Sequence, residues 1–258
     1  MITRIITALG ILAFIVPALL FGGWLLFALI SCIIIGGGLE FLHLSLNHKR
    51  WPLFIKPFTI SCVFITVFCP HEGLVLPLMG VCMLLFLSIQ IFSEAFDAKD
   101  AFLCIAYISF FYIIATSFLQ IYKADAIYIW LILIATYSCD TAAYLIGTCI
   151  GRHKLNPRIS PNKTIEGSVG GLLVAAVCTF LFSYYFIDQM QLWEIAAAAV
   201  LLPISGQLGD LAFSAIKRAY AIKDFSSLLP GHGGILDRLD SLIFNFVCFA
   251  MILAVMAI

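Results

Sequence analysis

The sequence predicts an all-α, polytopic integral membrane protein of about nine transmembrane helices with a cytoplasmic N-terminus. Three observations carry that prediction. Hydrophobic residues make up 63% of the chain and mean hydropathy is +1.12. Only 28 of 258 residues are charged, well under the fraction of about a quarter usual in soluble domains. Apolar runs recur near 20 residues, the helix length that crosses a hydrocarbon core of about 30 Å. A formal net charge of zero removes any bulk electrostatic basis for nucleic-acid binding, so no nucleic-acid partner is expected.

The runs fall in order at 5–21 and 23–42, parted by Gly22-Gly23. The first has the look of a signal peptide with Arg4 as its charged end, but apolar sequence continues to Leu42. A signal core stops after about 7–15 residues, so this run is read as a retained span. The third, 53–70, has Lys56 and Pro57 interrupting its start; then come 73–91, 101–119, 126–147, 165–187, 193–213 and 239–258. No stretch between runs is long enough for a soluble domain. The chain therefore reads as one transmembrane domain, 1–258, with hydrophobic pattern alone over 1–125 and chemistry-bearing helices and loops over 126–258. The nine cysteines lie in or beside apolar runs without C-x-x-C or zinc spacing, and are read as small buried hydrophobes.

Orientation follows from the basic residues. With the N-terminus inside, Arg4, Lys49, Arg50, Lys56, Lys99, Arg152, Lys154, Arg158, Lys163, Lys217, Arg218, Lys223 and Arg238 fall on the cytoplasmic side, and only Lys123 on the other. That partition supports an odd number of crossings. Two cytoplasmic loops, 148–164 and 214–238, hold eight of the 14 basic residues.

Carboxylates intrude nearby: Asp140, Glu166, Asp210, Asp237 and Asp240. An ionisable group inside a span costs about 2.5–3.5 kcal/mol on insertion scales, which makes each a functional candidate against the alternative of an interhelical ion pair. Asp140 fits either reading. Asp210 shares a helical face with Ser214 and Lys217 and is read as functional. Asp237 and Asp240 are neighbours on one helix and repel unless a cation joins them. Hard oxygen ligands suit Mg²⁺, which fills its remaining positions with water and substrate phosphates. In LLPGHGGILDR, Gly231, Gly233 and Gly234 let the backbone approach an anion, and the following helix offers its positive end. Lys217, Arg218, Lys223 and Arg238 surround that loop in sequence; His232 is either a satisfied loop residue or a phosphate contact or proton shuttle. In SPNKTIEG, Thr164 reads as a helix cap with Glu166 in the first turn, while Ser160 and Lys163 are left as phosphate donors. Gly167 and Gly171 read as close helix packing.

These residues resemble the signature of the phosphatidate cytidylyltransferases, or CDP-diacylglycerol synthases. Ser214, Lys217, Arg218, Lys223, Asp224, Ser226, Pro230, His232, Gly233, Gly234, Asp237, Arg238 and Asp240 occupy its matching positions. A second block resembles the same family through Asp140, Tyr144, Gly147, Ser160, Pro161, Lys163, Thr164, Glu166 and Gly167, and so does GQLGDL with Asp210. The similarity is close over the C-terminal half and only a hydrophobic pattern before it.

The resemblance implies a membrane enzyme that joins CTP to phosphatidate, releasing pyrophosphate and leaving CDP-diacylglycerol in the lipid. It implies a catalytic set of Asp210, Lys217, Arg218, Asp237 and His232. Substrate contacts would come from Ser160, Lys163, Thr164, Ser214, Lys223, Asp224, Gly233, Gly234 and Arg238. Mg²⁺ would be held by Asp210, Asp237 and Asp240, with a monovalent cation such as K⁺ as a second ion. Expected partners are CTP, phosphatidate and membrane lipid, with a homodimer compatible; the expected location is a bacterial inner membrane, active site facing the cytoplasm. Two other readings stay open: a CTP-dependent polyprenol or lipid kinase, and an anion transporter, which would spread its charges through the membrane depth.

Overall fold

In a bilayer core a backbone N–H has no water to bond, so each apolar run satisfies its own amides by becoming a helix. The computed structural model describes residues 2–45 and 50–256. In chain order the helices are α1 (Ile2–Phe21), α2 (Gly23–Leu42), α3 (Ile55–Val67), α4 (Glu72–Phe92), α5 (Ala98–Ala124) and α6 (Ile127–Ile150). A short hairpin of β1 (Lys154–Asn156) and β2 (Ser160–Thr164) precedes α7 (Ile165–Phe186), α8 (Leu192–Ala219) and α9 (Leu236–Met256). The all-α polytopic architecture is as expected, and among the described residues seven helices, α2 and α4 to α9, are long and apolar enough to cross a membrane.

The third run departs from the expected 53–70. Helix α3 has 13 residues, about 20 Å at 1.5 Å per residue, short of a full crossing. Residues 50–54 are turn, Pro52 among them, and the helix stops before Pro70, where the preceding residues are pushed out of helical conformation. The excursion still returns to its origin. Trp51, before α3, packs its ring on Phe96, after α4, at 5.4 Å between centroids, so α3 and α4 leave one end of their unit and come back to it. Lys49, placed on the cytoplasmic side by the charge partition, lies outside the described residues.

Contacts divide the chain into two units. One is Met1–Thr116 with Asp224–Leu236; the other is Ser117–Lys223 with Asp237–Ile258. The boundary falls inside α5, and the loop 224–236 goes with the N-terminal unit although it lies late in sequence.

In the first unit, Tyr107 on α5 donates its hydroxyl to the Ile34 carbonyl of α2 at 2.9 Å, and Ser45 donates to the buried Asp100 at 2.5 Å. In the second, α6 and α7 approach closely: a Cβ added at Gly167 would meet the Ala143 carbonyl at 2.6 Å, and one at Gly171 the Cys139 carbonyl at 2.8 Å. The packing role expected for this glycine pair is what the geometry shows. Asn245 of α9 donates to Thr136 of α6 at 2.8 Å in the core. Tyr128, at the start of α6, reaches Gln189 in the α7–α8 turn at 3.4 Å. The opposite end of this unit therefore gathers the end of α6, the β hairpin, the start of α7 and the end of α8.

Candidate active site

At that polar end the chain leaves α6 at Gly151 and doubles back through β1 and β2, with Lys154 opposite Thr164 and Asn156 opposite Ser160. Two side chains pin the hairpin. Thr164 caps α7 as expected, accepting from the Gly167 amide at 3.1 Å. Its hydroxyl lies where a Cβ at Gly147 or Gly151 would stand, at 2.9 and 2.6 Å, so both glycines are required by its approach. Glu166, in the first turn of α7, accepts from the amides of Arg152 at 3.1 Å and His153 at 3.2 Å, and faces His153 Nδ1 at 2.6 Å.

The pinned strand presents Lys163 to Asp210 on α8, and the two form an ion pair. Ser214 lies one turn beyond on the face expected for it, its hydroxyl 3.4 Å from Asp210. Asp140 on α6 and Asp240 on α9 both feel the charge of Asp210, and Asp240 also that of Lys217. Asp240 accepts from the Ser241 amide at 2.8 Å. Asp237 is buried and receives Lys217 at 2.8 Å. Asp237, expected with Asp210 as a metal ligand, is thus also one half of an ion pair.

A cavity of about 540 Å³ opens beside this cluster, lined by Asp140, Tyr144, Lys163, Ser168, Gln207 and Asp210 among others. Gln207 builds its wall, donating to the Ser168 carbonyl at 2.9 Å and to Cys139 Sγ at 3.2 Å while accepting from the Ser168 hydroxyl. Neither Gln207 nor Ser168 is an expected site residue. A polar amide set within an otherwise apolar run was the available signal.

The glycine loop belongs to the other unit. Gly231 and Gly233 have φ of 77° and 81°, and the turn between them closes through Leu229 N–H to Gly233 at 2.9 Å and His232 N–H to Leu229 at 2.8 Å. His232 is half-buried. The amides that follow were expected to receive a substrate anion. They receive Glu40 instead: this α2 side chain, 3% exposed, accepts from Ile235 N–H and Leu236 N–H at 2.8 Å each and from Ser226 Oγ at 2.6 Å. Sequence reasoning missed Glu40, although it is the only charge between residues 23 and 42 and the insertion-cost argument applied to Asp140 applies equally to it.

Arg218 is exposed and donates to the Ile222 carbonyl at 3.1 Å. Lys223, Asp224 and Arg238 are exposed, and Ser160 is half-buried on β2.

Within the second unit, four carboxylates (Asp140, Asp210, Asp237, Asp240) face two lysines (Lys163, Lys217). Among the described residues no three acidic, His or Cys side chains converge as a ready metal cage. Mg²⁺ does not require one, because it binds through one or two carboxylates plus water and phosphate oxygens. The surplus of negative charge over positive suits a divalent cation that brings anionic substrate with it.

The model of the Cytidylyltransferase family matches residues 2–256 of this chain. A protein named phosphatidate cytidylyltransferase from Staphylococcus aureus (strain COL) is 34% identical over 249 residues, covering 93% of this chain and 94% of the relative. Proteins of the same name from Staphylococcus haemolyticus and Staphylococcus epidermidis are also 34% identical, over 257 and 251 residues, with the same coverage of both chains.

Proposed function

This chain belongs to the cytidylyltransferase family, and we infer from that membership that it transfers the cytidylyl group of CTP to phosphatidate, giving CDP-diacylglycerol and pyrophosphate for phospholipid synthesis. Coverage is the observation that carries the inference. The match runs from α1 to α9, so the N-terminal helices, which the signature alone did not reach, belong to it as much as the charged loops do.

The reaction forms a bond between a phosphatidate phosphate oxygen and the α-phosphorus of CTP and breaks the bond from that phosphorus to the β-phosphate bridging oxygen. Such a displacement needs little covalent help from the protein; it needs anions held in line and their charge offset. Lys163 and Lys217 are the cations already held in place for this, each by its own aspartate. Asp210 and Asp240, with Asp140 beside them, would hold Mg²⁺, while Asp237 orients Lys217. When bound, Mg²⁺ offsets the triphosphate charge and favours departure of pyrophosphate; a monovalent cation such as K⁺ is the proposed second ion. Tyr144, Ser168 and Gln207 line a cavity large enough to seat part of a substrate beside Lys163. On this reading the surrounding helix ends would lie where a lipid headgroup and a soluble nucleotide meet. The thirteen-to-one partition of basic residues supports placing that end on the cytoplasmic face of a bacterial inner membrane.

Purified protein given phosphatidate and CTP labelled at the α or the γ phosphate tests the reaction. The α label should enter lipid and the γ label should leave as pyrophosphate. Transfer of γ label to lipid would establish a kinase instead.

A further inference from the structure

We propose that Glu40 is a positioning residue for cytidylyl transfer, an internal anion that holds the loop 226–236 and thereby sets where the first turn of α9 begins. The kinetic part rests on the reaction assigned above; the clamp itself does not.

Three donors from one loop, 186 to 196 residues away in sequence, converge on a single carboxylate that is 3% exposed. A buried charge of this kind persists only when hydrogen bonds satisfy it, and two backbone amides with a hydroxyl do so. The loop is shaped around the carboxylate. A Cβ at Gly234 would stand 2.6 Å from both Glu40 oxygens, and Gly234 is not among the glycines of positive φ. Its missing side chain therefore serves the approach of Glu40 rather than a backbone bend.

The α2 surface on the same side is bare for the same loop. Ile235 lies against Gly36, and a Cβ at Gly37 would touch Leu236 at 3.4 Å. Thr7 adds a bond to the Pro230 carbonyl at 3.1 Å. Leu236 is thus fixed through its amide and its side chain, and one peptide bond separates it from Asp237, the partner of Lys217. Displacing Leu236 turns the helix start that carries Asp237, Arg238 and Asp240. The Ile235 and Leu236 amides already hold an anion, so these two are not open to a substrate phosphate.

The test uses full-length protein in detergent, with folding checked by size exclusion and melting. Glu40→Gln keeps the size but removes the charge and turns an NH₂ toward one of the two amides, which sit on different oxygens of the carboxylate. It should lower kcat on the order of 100-fold, as expected for displaced catalytic groups, with KM for CTP little changed, and should speed hydrogen exchange across 226–236. In Glu40→Ala, added formate should restore part of kcat, while leaving wild type unaffected. Gly234→Ala should copy the defect, and Glu40→Ala combined with Gly234→Ala should be no worse than Glu40→Ala alone, since the two act through one contact. Should the alanine variants fail to fold, Ser226→Ala removes one donor of three and should give a smaller loss of the same kind with faster loop exchange.

Folded Glu40→Gln with wild-type kcat, or with unchanged exchange in 226–236, overturns the proposal. Additive losses at Glu40 and Gly234 overturn it too, by placing Gly234 against substrate. Exchange is read without substrate, so a wild-type protein that makes no CDP-diacylglycerol defeats the reaction and not the clamp.

Discussion

Two carboxylates in this molecule perform the same local task in different surroundings. Glu166 holds the β hairpin through the amides of Arg152 and His153 and the His153 ring; Glu40 holds the glycine loop through the amides of Ile235 and Leu236 and the Ser226 hydroxyl. Each takes two successive backbone N–H groups and one side chain. The difference is water: the Glu166 side chain is 25% exposed, whereas Glu40 is 3% exposed. Where water reaches, a lost acceptor is replaced. Where it does not, each stranded amide costs about 1–3 kcal/mol. The ion pairs repeat the contrast, since Lys217 and Asp237 are 11% and 3% exposed and Lys163 and Asp210 are 31% and 26% exposed. Loss of a buried partner should cost stability as well as turnover, and loss of a half-exposed one turnover alone.

The largest effect expected from that contrast is on the buried pair. Lys217→Met keeps the length of the side chain but takes the cation away from the buried Asp237, a loss of about 3–5 kcal/mol for a buried pair broken on one side. It should appear as a much lower melting temperature in detergent. Lys217→Met with Asp237→Asn should recover much of that stability while staying inactive. A single variant that melts like wild type would break the comparison at its strongest point.

The half-exposed pair should behave in the opposite way. Lys163→Met leaves Asp210 in reach of solvent, so melting should change little, while activity should fall on the order of 100-fold through loss of a positioned cation at the phosphates. Asp210→Asn should also melt near wild type and lose activity, and its remaining activity should need more Mg²⁺. Unchanged Mg²⁺ dependence in Asp210→Asn would remove Asp210 from the metal site.

How far such contrasts were legible in the sequence depends on their range. Helix positions followed from the length of apolar runs, and the cap at Thr164, the glycine packing at Gly167 and Gly171, and the shared face of Asp210 and Ser214 followed from spacings within one helix. α3 was misjudged because a hydropathy ruler weighs side chains, whereas Pro52 and Pro70 act on the backbone. Pairings across the chain had no local signature: Lys163 with Asp210, Lys217 with Asp237, and Glu40 with a loop nearly two hundred positions later. Gly234 shows the cost of that blindness. A glycine-rich loop before a helix invites an external phosphate, and only the tertiary contact reveals that part of the anion is internal.

Glu166 offers the smallest and sharpest test. Glu166→Gln keeps an oxygen for the Arg152 and His153 amides, and water can serve whatever is lost, so the melting temperature should stay within the scatter of replicates. Activity should fall only a few-fold, because Thr164 still pins the strand that carries Lys163 and the remaining freedom lies at the far edge of the hairpin. Hydrogen exchange should rise at residues 152–153 and stay unchanged at 163–164. The same exchange measured in Glu40→Gln should rise across its entire loop. If the two glutamine variants lose stability and activity equally, burial is not what separates the clamps, and the shared donor pattern alone sets their weight.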